Sequence, residues 1–398
     1  MSNCIIAQSG GPTAVINASV IGVVEENFKK GFYENVYAGI NGIEGILNKK
    51  LVNLSEKSKE DLQHFRFTPS SGLGSCRYKM KDFRENDEEY IKLFNLLKEL
   101  NIDTFFYVGG NDSMDTVAKL SEYTKINNIP VKVIGIPKTI DNDLPLTDHT
   151  PGFGSAAKLI STLTLETYLD SSVYTNNGIF ILETMGRDTG WLAASAGASK
   201  LNGKQVADFI YLPEVAFSTE KFLKDVEEKF KAQNQVYIVA SEGLRDKDGR
   251  FISETPLSGC HDNFGHAQLG GVGNYLKNII INAGITKRVK SLELGVIQRC
   301  SMHIASKIDL DEAYMVGTAA LNYANEGHTG YMVAIKRNES LNYESSTFLA
   351  EASNVANNIK YVPINWINEE GNNVTEEAIN YITPLIDNYI PSYVRFNK

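Results

Sequence analysis

The chain is poor in cysteine: Cys4, Cys76, Cys260 and Cys300 are its only four in 398 residues, and no two form a C-x-x-C pair. That scarcity argues against a disulfide framework or a zinc site and predicts reduced, packed thiols. Long apolar runs are missing as well. None approaches the ~20 residues that cross a bilayer, and the opening MSNCIIAQSGG has neither a basic stretch nor an extended apolar core. The expectation is a cytoplasmic chain with no signal peptide and no membrane span. Basic residues are outnumbered, 39 Lys and Arg against 48 Asp and Glu, for a net charge of −9. This argues against nucleic acid or an anionic membrane as partner. A small anionic substrate stays open, because a few local cations outweigh a distant net charge. Low-complexity segments, charge blocks and the Walker A and G-x-G-x-x-G patterns are absent, which disfavours a P-loop NTPase or a dinucleotide fold. His261 and His266, near Cys260, have no ligand-like spacing and read as ordinary polar residues.

What the chain has instead is a recurring unit: an apolar strand, a glycine-rich or acidic loop, then a helix with one apolar side. Residues 4–8 read as the first strand, broken by Ser9-Gly10-Gly11-Pro12-Thr13. A helix follows, with Val15, Val20, Val23, Val24 and Phe28 as its apolar side and Gly31 at its end. Backbone N–H groups at such a turn, with the helix dipole, make an anion site; a G-G pair also serves a simple turn. Residues 35–40 are a second strand entering a glycine loop at 39–45. Residues 51–67 are polar and peripheral, and 68–77, TPSSGLGSCR, form a Ser/Gly loop carrying Arg77. Tyr90, Leu93, Leu97 and Leu100 space an amphipathic helix over 87–100. The strand at 104–108 ends in Gly109-Gly110-Asn111-Asp112-Ser113, with a helix from about residue 115. Asp112 either caps that helix or stands where Mg²⁺ could join it to a phosphate.

Residues 131–136, β-branched and bounded by Pro130 and Pro137, read as a buried strand. The PKTIDND that follows sets a cation (Lys138), a hydroxyl (Thr139) and two carboxylates (Asp141, Asp143) at the carboxyl end of a strand, where open α/β sheets hold ligands. A bare D-N-D suits an Asx-rich turn equally well. Next come a helix over 155–168, a strand at 177–184 running into Met185-Gly186-Arg187, and an alanine-rich helix over 192–200. A strand at 209–212 precedes Pro213-Glu214, and another at 236–240 leads to Ser241-Glu242-Gly243. A helix over 265–284 shows Leu269, Val272, Leu276, Ile279 and Ile280 on one face and is followed by Lys287, Arg288 and Lys290. Apolar residues 292–297 end at Gln298-Arg299, a helix over 312–326 precedes a strand at 330–335, and the remaining C-terminal part mixes helix and strand. An arginine such as Arg77 or Arg187 grips a phosphate with a fork that lysine lacks; each is also compatible with a solvated surface position. Such repetition predicts an α/β fold: two Rossmann-like three-layer domains with mostly parallel sheets and a cleft between them.

With these pieces in place the chain resembles the phosphofructokinase family, and more closely its diphosphate-dependent branch. The resemblance spans nearly the whole chain. It rests on GGPTAVIN (10–17), GSCR ending at Arg77, GGNDS (109–113), PKTIDND (137–143), MGR (185–187), SEG (241–243) and IQR (297–299), in family order. It implies Mg²⁺-assisted, reversible phosphoryl transfer from diphosphate to the 1-hydroxyl of fructose 6-phosphate, giving fructose 1,6-bisphosphate and phosphate. Asp141 would be the general base, Thr139 would lie beside the transferred group, Asp143 would support the loop and Lys138 would offer the donor a cation. Gly11 and Arg77 would face the donor phosphates, while Met185, Gly186, Arg187, Glu242 and Arg299 would hold the sugar phosphate. ATP-using relatives carry glycine at the positions matching Asp112 and Lys138, so two charges there point to diphosphate rather than ATP.

The same resemblance implies a donor domain of residues 1–145 with about 295–345, and a sugar-phosphate domain of about 146–294 with 346–398. Asn111 stands where many relatives have a metal-associated aspartate, which leaves Asp112 or diphosphate oxygens to hold Mg²⁺. Gly178 and Lys290 occupy positions where shorter bacterial relatives have arginines that reach a neighbouring subunit's sugar phosphate, and only Lys290 keeps the charge. The family's shared sites imply a homodimer or homotetramer. The competing readings are an ATP-dependent 6-phosphofructokinase and a non-catalytic, sugar-phosphate-binding regulatory subunit, against which Asp141, Thr139 and Lys138 together speak. Sedoheptulose 7-phosphate stays open as an alternative sugar.

Overall fold

The computed structural model describes residues 1–253, 271–340, 342–388 and 392–396. Its first elements are β1 (Asn3–Gln8), α1 (Ile16–Lys30), β2 (Val36–Gly39), α2 (Gly42–Leu47), β3 (Leu51–Asn53), α3 (Lys59–Arg66) and α4 (Glu88–Glu99). They are followed by β4 (Ile102–Gly109), α5 (Asn111–Ile126), β5 (Lys132–Pro137), α6 (Phe153–Ser171), β6 (Ile179–Thr184) and α7 (Trp191–Ala194). Next come β7 (Lys200–Leu201), β8 (Lys204–Gln205), β9 (Phe209–Tyr211), α8 (Thr219–Gln233), β10 (Val236–Ser241), α9 (Val272–Asn282) and β11 (Val289–Glu293). The last are α10 (Lys307–Asn325), β12 (Tyr331–Arg337), β13 (Ser345–Glu351), α11 (Ala352–Val355) and α12 (Glu376–Ile382). They form two units: Met1–Ser155 with Arg299–Lys360, and Ala156–Gln298 with Tyr361–Lys398.

The first unit holds a sheet in the order β13-β12-β5-β4-β1-β2-β3. Its inner strands β12, β5, β4, β1 and β2 run parallel, and β13 and β3 close the edges antiparallel. In β1, Cys4 and Ile6 face a core shared with α1 and α10, while Ile5 and Ala7 face a second core with α2 and α4. β4 divides the same way, Phe106 and Val108 against Phe105 and Tyr107. Burial on both faces is why these strands read as unbroken apolar runs. Gly31 closes α1 as expected, in the left-handed region at φ 66°, its N–H donating to Asn27 O at 2.7 Å. Helices α1 and α10 touch through their backbones. A Cβ on Gly22 would stand 2.2 Å from Tyr314 O, and one on Gly317 2.0 Å from Ser19 O.

The second unit is built on a fully parallel sheet, β11-β6-β10-β9. Ile179, Ile181, Ile238 and Ala240 pack on Phe222 and Val226 of α8 and on Leu276 and Ile280 of α9. On the opposite face Phe180 stacks on Tyr237 at 5.3 Å, and the Tyr237 hydroxyl meets Thr167 of α6 at 2.5 Å. Both units are therefore α/β with mostly parallel sheets, as the repeated pattern predicts.

Several local expectations are corrected. The glycine loop at 39–45 turns into α2 from Gly42, with Asn41 left-handed at φ 61° before it. The helix expected from about residue 115 starts at Asn111, so Asp112 sits inside its first turn, and the extended residue before it is Gly110. The alanine-rich helix expected over 192–200 stops after Ala194 and tightens into a 3₁₀ turn at Ser195–Ala198. Neighbouring chain claims its polar groups: Ser161 Oγ donates to Ser195 O, Ser199 Oγ to Ser161 O, and Val206 N–H to Ser199 O. Phe28, expected on the apolar side of α1, is 48% exposed. Leu292, near the end of the edge strand β11, and Val296 and Ile297, beyond that end, are exposed too. The polar stretch 51–67 is less peripheral than expected, since it forms β3 and α3 and buries Leu54 and Leu62. Beyond the strand at 330–335 the chain mixes strand and helix as expected, in β13, α11 and α12. Cys260, His261, His266 and the start of the helix expected over 265–284, Leu269 included, lie outside the described residues.

Candidate active site

Adjacent parallel strands bring the loops at their carboxyl ends to one edge of a sheet. In the first unit β1, β4 and β5 are neighbours, so the turn at Gly10-Gly11, the Gly109–Ser113 corner and the PKTIDND loop share that edge. They are tied around Lys138. Its N–H donates to Gly109 O at 2.9 Å, and its Nζ donates to Gly11 O at 2.5 Å. Gly10, at φ 74°, donates its N–H to Cys76 O at 3.0 Å and accepts from Ser75 Oγ at 2.6 Å, which draws in the loop carrying Arg77. Lys138 is 3% exposed. Burial pushes it down to about 8; the charges of Asp141 and Asp143 pull it up, and those of Arg299 and Arg77 push it down. Arg299 Nη1 stands 3.2 Å from where a Cβ on Gly11 would be, and its buried Nε has no hydrogen-bond partner among the described residues. Cations gathered around a glycine turn suit a polyanion. Arg299, which the resemblance gives to the sugar phosphate, thus stands beside the glycine turn.

The PKTIDND loop is braced from within. Thr139 Oγ1 accepts the Asp141 N–H at 3.0 Å and is also hydrogen-bonded to the Asp143 carboxyl, while Asn142 is left-handed at φ 53°. The Asp141 carboxylate is half-buried. Burial pushes the Asp143 carboxyl up, against its hydrogen bonds and the charges of Lys360 and Lys138. Lys360 donates its N–H to Asp143 O at 2.8 Å and its Nζ to Asn142 Oδ1 at 3.1 Å and Asp148 O at 2.8 Å. Burial pushes Lys360 down to about 8 as well. Beyond it, the His149 ring bridges Asp148 (2.8 Å) and Glu312 (2.6 Å), and the Tyr343 hydroxyl donates to Glu312 at 2.6 Å. Burial pulls the His149 ring down, but Glu312 and Asp148 overcome this and hold it at about 9. Asp309 accepts the N–H groups of Gly152 and Ser155 at 2.8 and 2.9 Å where α6 begins, and burial pushes its carboxyl up to about 6. Sequence reasoning missed all of these supports. Asp309 and Glu312 are one helical turn apart on α10 and so share a face; Lys360 carries no local signal.

At the start of α5 the two polar residues separate in role. Asn111 Oδ1 accepts the Asn357 N–H at 2.6 Å and its Nδ2 donates to Asn358 O at 2.5 Å, so its amide is committed to protein. The Asp112 carboxylate is half-buried, with no hydrogen-bond partner among the described residues. Among those residues no cluster of three or more His, Cys, Asp or Glu could hold a metal. A divalent cation here fits the pattern in which one or two carboxylates and substrate phosphates share it, with Asp112 as the available carboxylate.

In the second unit MGR and SEG follow β6 and β10, which are adjacent. They interlock: Ser241 Oγ donates to Gly186 O at 2.5 Å, the Gly186 N–H donates to Glu242 Oε1 at 3.3 Å, and the Met185 N–H donates to Gln298 Oε1 at 3.2 Å. A Cβ on Gly243 would stand 2.0 Å from Arg187 O, and Gly186 holds φ 124°. Burial pushes Glu242 up to about 7, with Glu183 adding to the rise and Arg187 opposing it. Lys290 is not part of this group. It lies in register with Phe180 at the start of β6, roughly 16 Å from Met185 at ~3.3 Å per residue. There it lines a cavity of about 230 Å³ with Asp170, Tyr174, Gly178 and Arg288. Gly178 has no room for a side chain, since a Cβ would stand 2.3 Å from Arg288 O.

Residues 3–324 match the family described as phosphofructokinase. The chain is 40% identical over 388 residues to a Methylococcus capsulatus protein named pyrophosphate–fructose 6-phosphate 1-phosphotransferase, covering 97% of this chain and 91% of that one. It is 41% identical over 387 residues to a protein of the same name from Halomonas elongata, covering 96% and 91%. A crystal structure titled pyrophosphate-dependent phosphofructokinase, from Nitrosospira multiformis, has a TM-score of 0.87 and 37% identity, over 99% of this chain and 94% of that one. With the family's motifs in order and relatives of this similarity along nearly its whole length, the chain belongs to the phosphofructokinase family.

Proposed function

We propose that the chain is a diphosphate-dependent 6-phosphofructokinase, which transfers a phosphoryl group reversibly from diphosphate to the 1-hydroxyl of fructose 6-phosphate. The observation that carries this reading is Lys138: a buried cation bonded to Gly11 O, flanked by Arg77 and Arg299, with Asp112 at the neighbouring helix start. Such a site suits a compact tetra-anion, and the Asp112 carboxylate disfavours a nucleotide's inner phosphate.

The first unit serves as the donor domain and the second as the sugar-phosphate domain. Arg77, Lys138, Arg299 and the Gly11 N–H neutralise the diphosphate. Met185, Gly186, Arg187 and Glu242 hold fructose 6-phosphate. Asp141 accepts the proton of the sugar 1-hydroxyl as its oxygen bonds to the phosphorus; the bridging P–O bond breaks and phosphate leaves. Thr139 and Asp143 keep Asp141 in place. Phosphoryl transfer needs positioning and charge neutralisation more than covalent chemistry from the protein. Asp112, with diphosphate oxygens, would hold Mg²⁺, which would supply further positive charge there. Lys290, standing apart from the MGR loop, serves a neighbouring subunit of a homodimer or homotetramer, and the protein works in the cytoplasm.

The test is fructose 1,6-bisphosphate formation from fructose 6-phosphate and Mg²⁺ with either diphosphate or ATP. Turnover with diphosphate and not ATP is expected. Turnover with ATP alone overturns the donor assignment, and none with either donor brings the regulatory-subunit reading forward.

A further inference from the structure

The segment just after α11 touches both sides of the donor site. Asn111, in the first turn of α5, holds Asn357 and Asn358 through both ends of its amide, at 2.6 and 2.5 Å. Asn357 sits in the left-handed region at φ 60°, and its Nδ2 donates to Asp115 Oδ1 at 3.3 Å. Two residues beyond Asn358, Lys360 donates its N–H to Asp143 O, and its Nζ to Asn142 Oδ1, Thr147 O (3.3 Å) and Asp148 O. Residues 357–360 therefore form a strap that joins the GGNDS corner to the loop carrying Asp141. A main-chain tie joins the same loops, from the Lys138 N–H to Gly109 O.

We propose that Asn111 and Lys360 are positioning residues for the transfer reaction: through the 357–360 strap they fix the loop that presents Asp141. The chemistry of position 111 supports this. The site needs an acceptor for one N–H and a donor for one carbonyl within a single side chain, which an amide supplies. A carboxylate of the same size would set lone pairs against Asn358 O and break half the clasp. This gives the departure from aspartate at this position a purpose of its own. Lys360 adds what a neutral residue could not, since its charge offsets Asp143 while its three protons reach the loop at separate acceptors.

The proposal rests on the transfer reading, and its test separates the two. In Asn111→Asp and Lys360→Met, kcat with diphosphate and fructose 6-phosphate should fall about 10- to 100-fold, the cost of a loosely held catalytic group. Both KM values should stay within about threefold, because the proposed function gives the strap no substrate to bind. Since either change opens the same strap, the double variant should be hardly worse than the poorer single one, whereas independent defects multiply. Hydrogen exchange at the amides of residues 139–143 gives a readout that does not require turnover. Both variants should lose protection there relative to wild type while the amides of β10 keep theirs. Losses seen in KM, multiplicative losses in the double variant, or unchanged protection in Asn111→Asp would each overturn the strap. An inactive wild type would count against the transfer reading, with the exchange pattern still deciding on the strap. Should Lys360→Met fail to melt cooperatively, Asn111→Asp, at a half-buried site and of equal size, decides alone.

Discussion

Lys138 makes the most exposed claim, because its burial has opposite consequences for binding and for stability. Replacing it by methionine keeps the stem and removes the charge that the diphosphate would meet. A hydrogen bond to a charged group is worth about 1.5–3 kcal/mol, or roughly 10- to 150-fold in kcat/KM for diphosphate at ~1.4 kcal/mol per decade. The loss should depend on pH. Burial, only partly countered by Asp141 and Asp143, sets the lysine at about 8, and kcat/KM reports groups of the free enzyme. Wild-type kcat/KM should bend downward above pH 8 as the cation is lost, and the gap to Lys138→Met should close by pH 9.5. Stability should move the other way. A lysine depressed from 10.5 to about 8 opposes folding in full below pH 8, and the penalty fades as pH approaches 10.5, an upper bound of about 3 kcal/mol. Lys138→Met should thus melt above wild type at pH 7 while binding diphosphate worse. Initial rates at varied diphosphate from pH 6.5 to 9.5 and thermal melts of both proteins decide the matter. A kinetic gap constant across that range, or a variant that melts lower at pH 7, refutes the reasoning.

Other outcomes are expected with it. Asp141→Asn should lower kcat by about 10²- to 10⁴-fold while calorimetric binding of fructose 6-phosphate persists; a change confined to KM would remove Asp141 from the base role. The wild-type stability owed to His149 should be complete below about pH 6.5 and vanish as pH rises through about 9, since its folded value is raised. The difference in melting between wild type and His149→Gln should therefore shrink from pH 6.5 to 9.5, by an amount worth on the order of 3 kcal/mol; a pH-independent difference contradicts the charged ring. Gly243→Ala drives a methyl into Arg187 O and should raise KM for fructose 6-phosphate roughly tenfold or more, as for a misplaced binding loop, with KM for diphosphate unaltered. Equal changes in both KM values would mean that the interlocked MGR and SEG loops do not serve the sugar.

What was legible in the sequence were features that announce themselves locally. The runs at β1, β4 and β5 are apolar because both faces are covered, and each is cut short by glycine or charge where the chain leaves the sheet, so strand, loop and helix could be placed in order. Gly11, Lys138 and Asp141 could be singled out because they sit in those cuts. The supports were hidden because their partners are remote in sequence: Lys360 reaches Asn142, and Glu312 reaches His149, across long stretches of chain. Polar residues 111 and 112 looked alike until tertiary structure committed one amide and left the neighbouring carboxylate available. Residues 192–200 show propensity yielding to context, since alanines favour a helix but the buried carbonyls are satisfied from neighbouring chain instead.

The backbone contact between α1 and α10 joins residues that leave the ribosome far apart in time. Ile16, Val20 and Val24 emerge early, and the Val316 and Ala320 that cover them follow about 300 residues later, a delay on the order of tens of seconds at ~5–20 residues per second. Gly22 and Gly317 make the eventual fit a close one, with little tolerance for any other side chain lodged there meanwhile. The nascent protein thus carries an apolar helix face without its cover while the whole of β6 to β11 is being synthesised. The unit begun first is completed only after most of the other has been made, and its yield in a cell depends on how well that waiting surface is shielded.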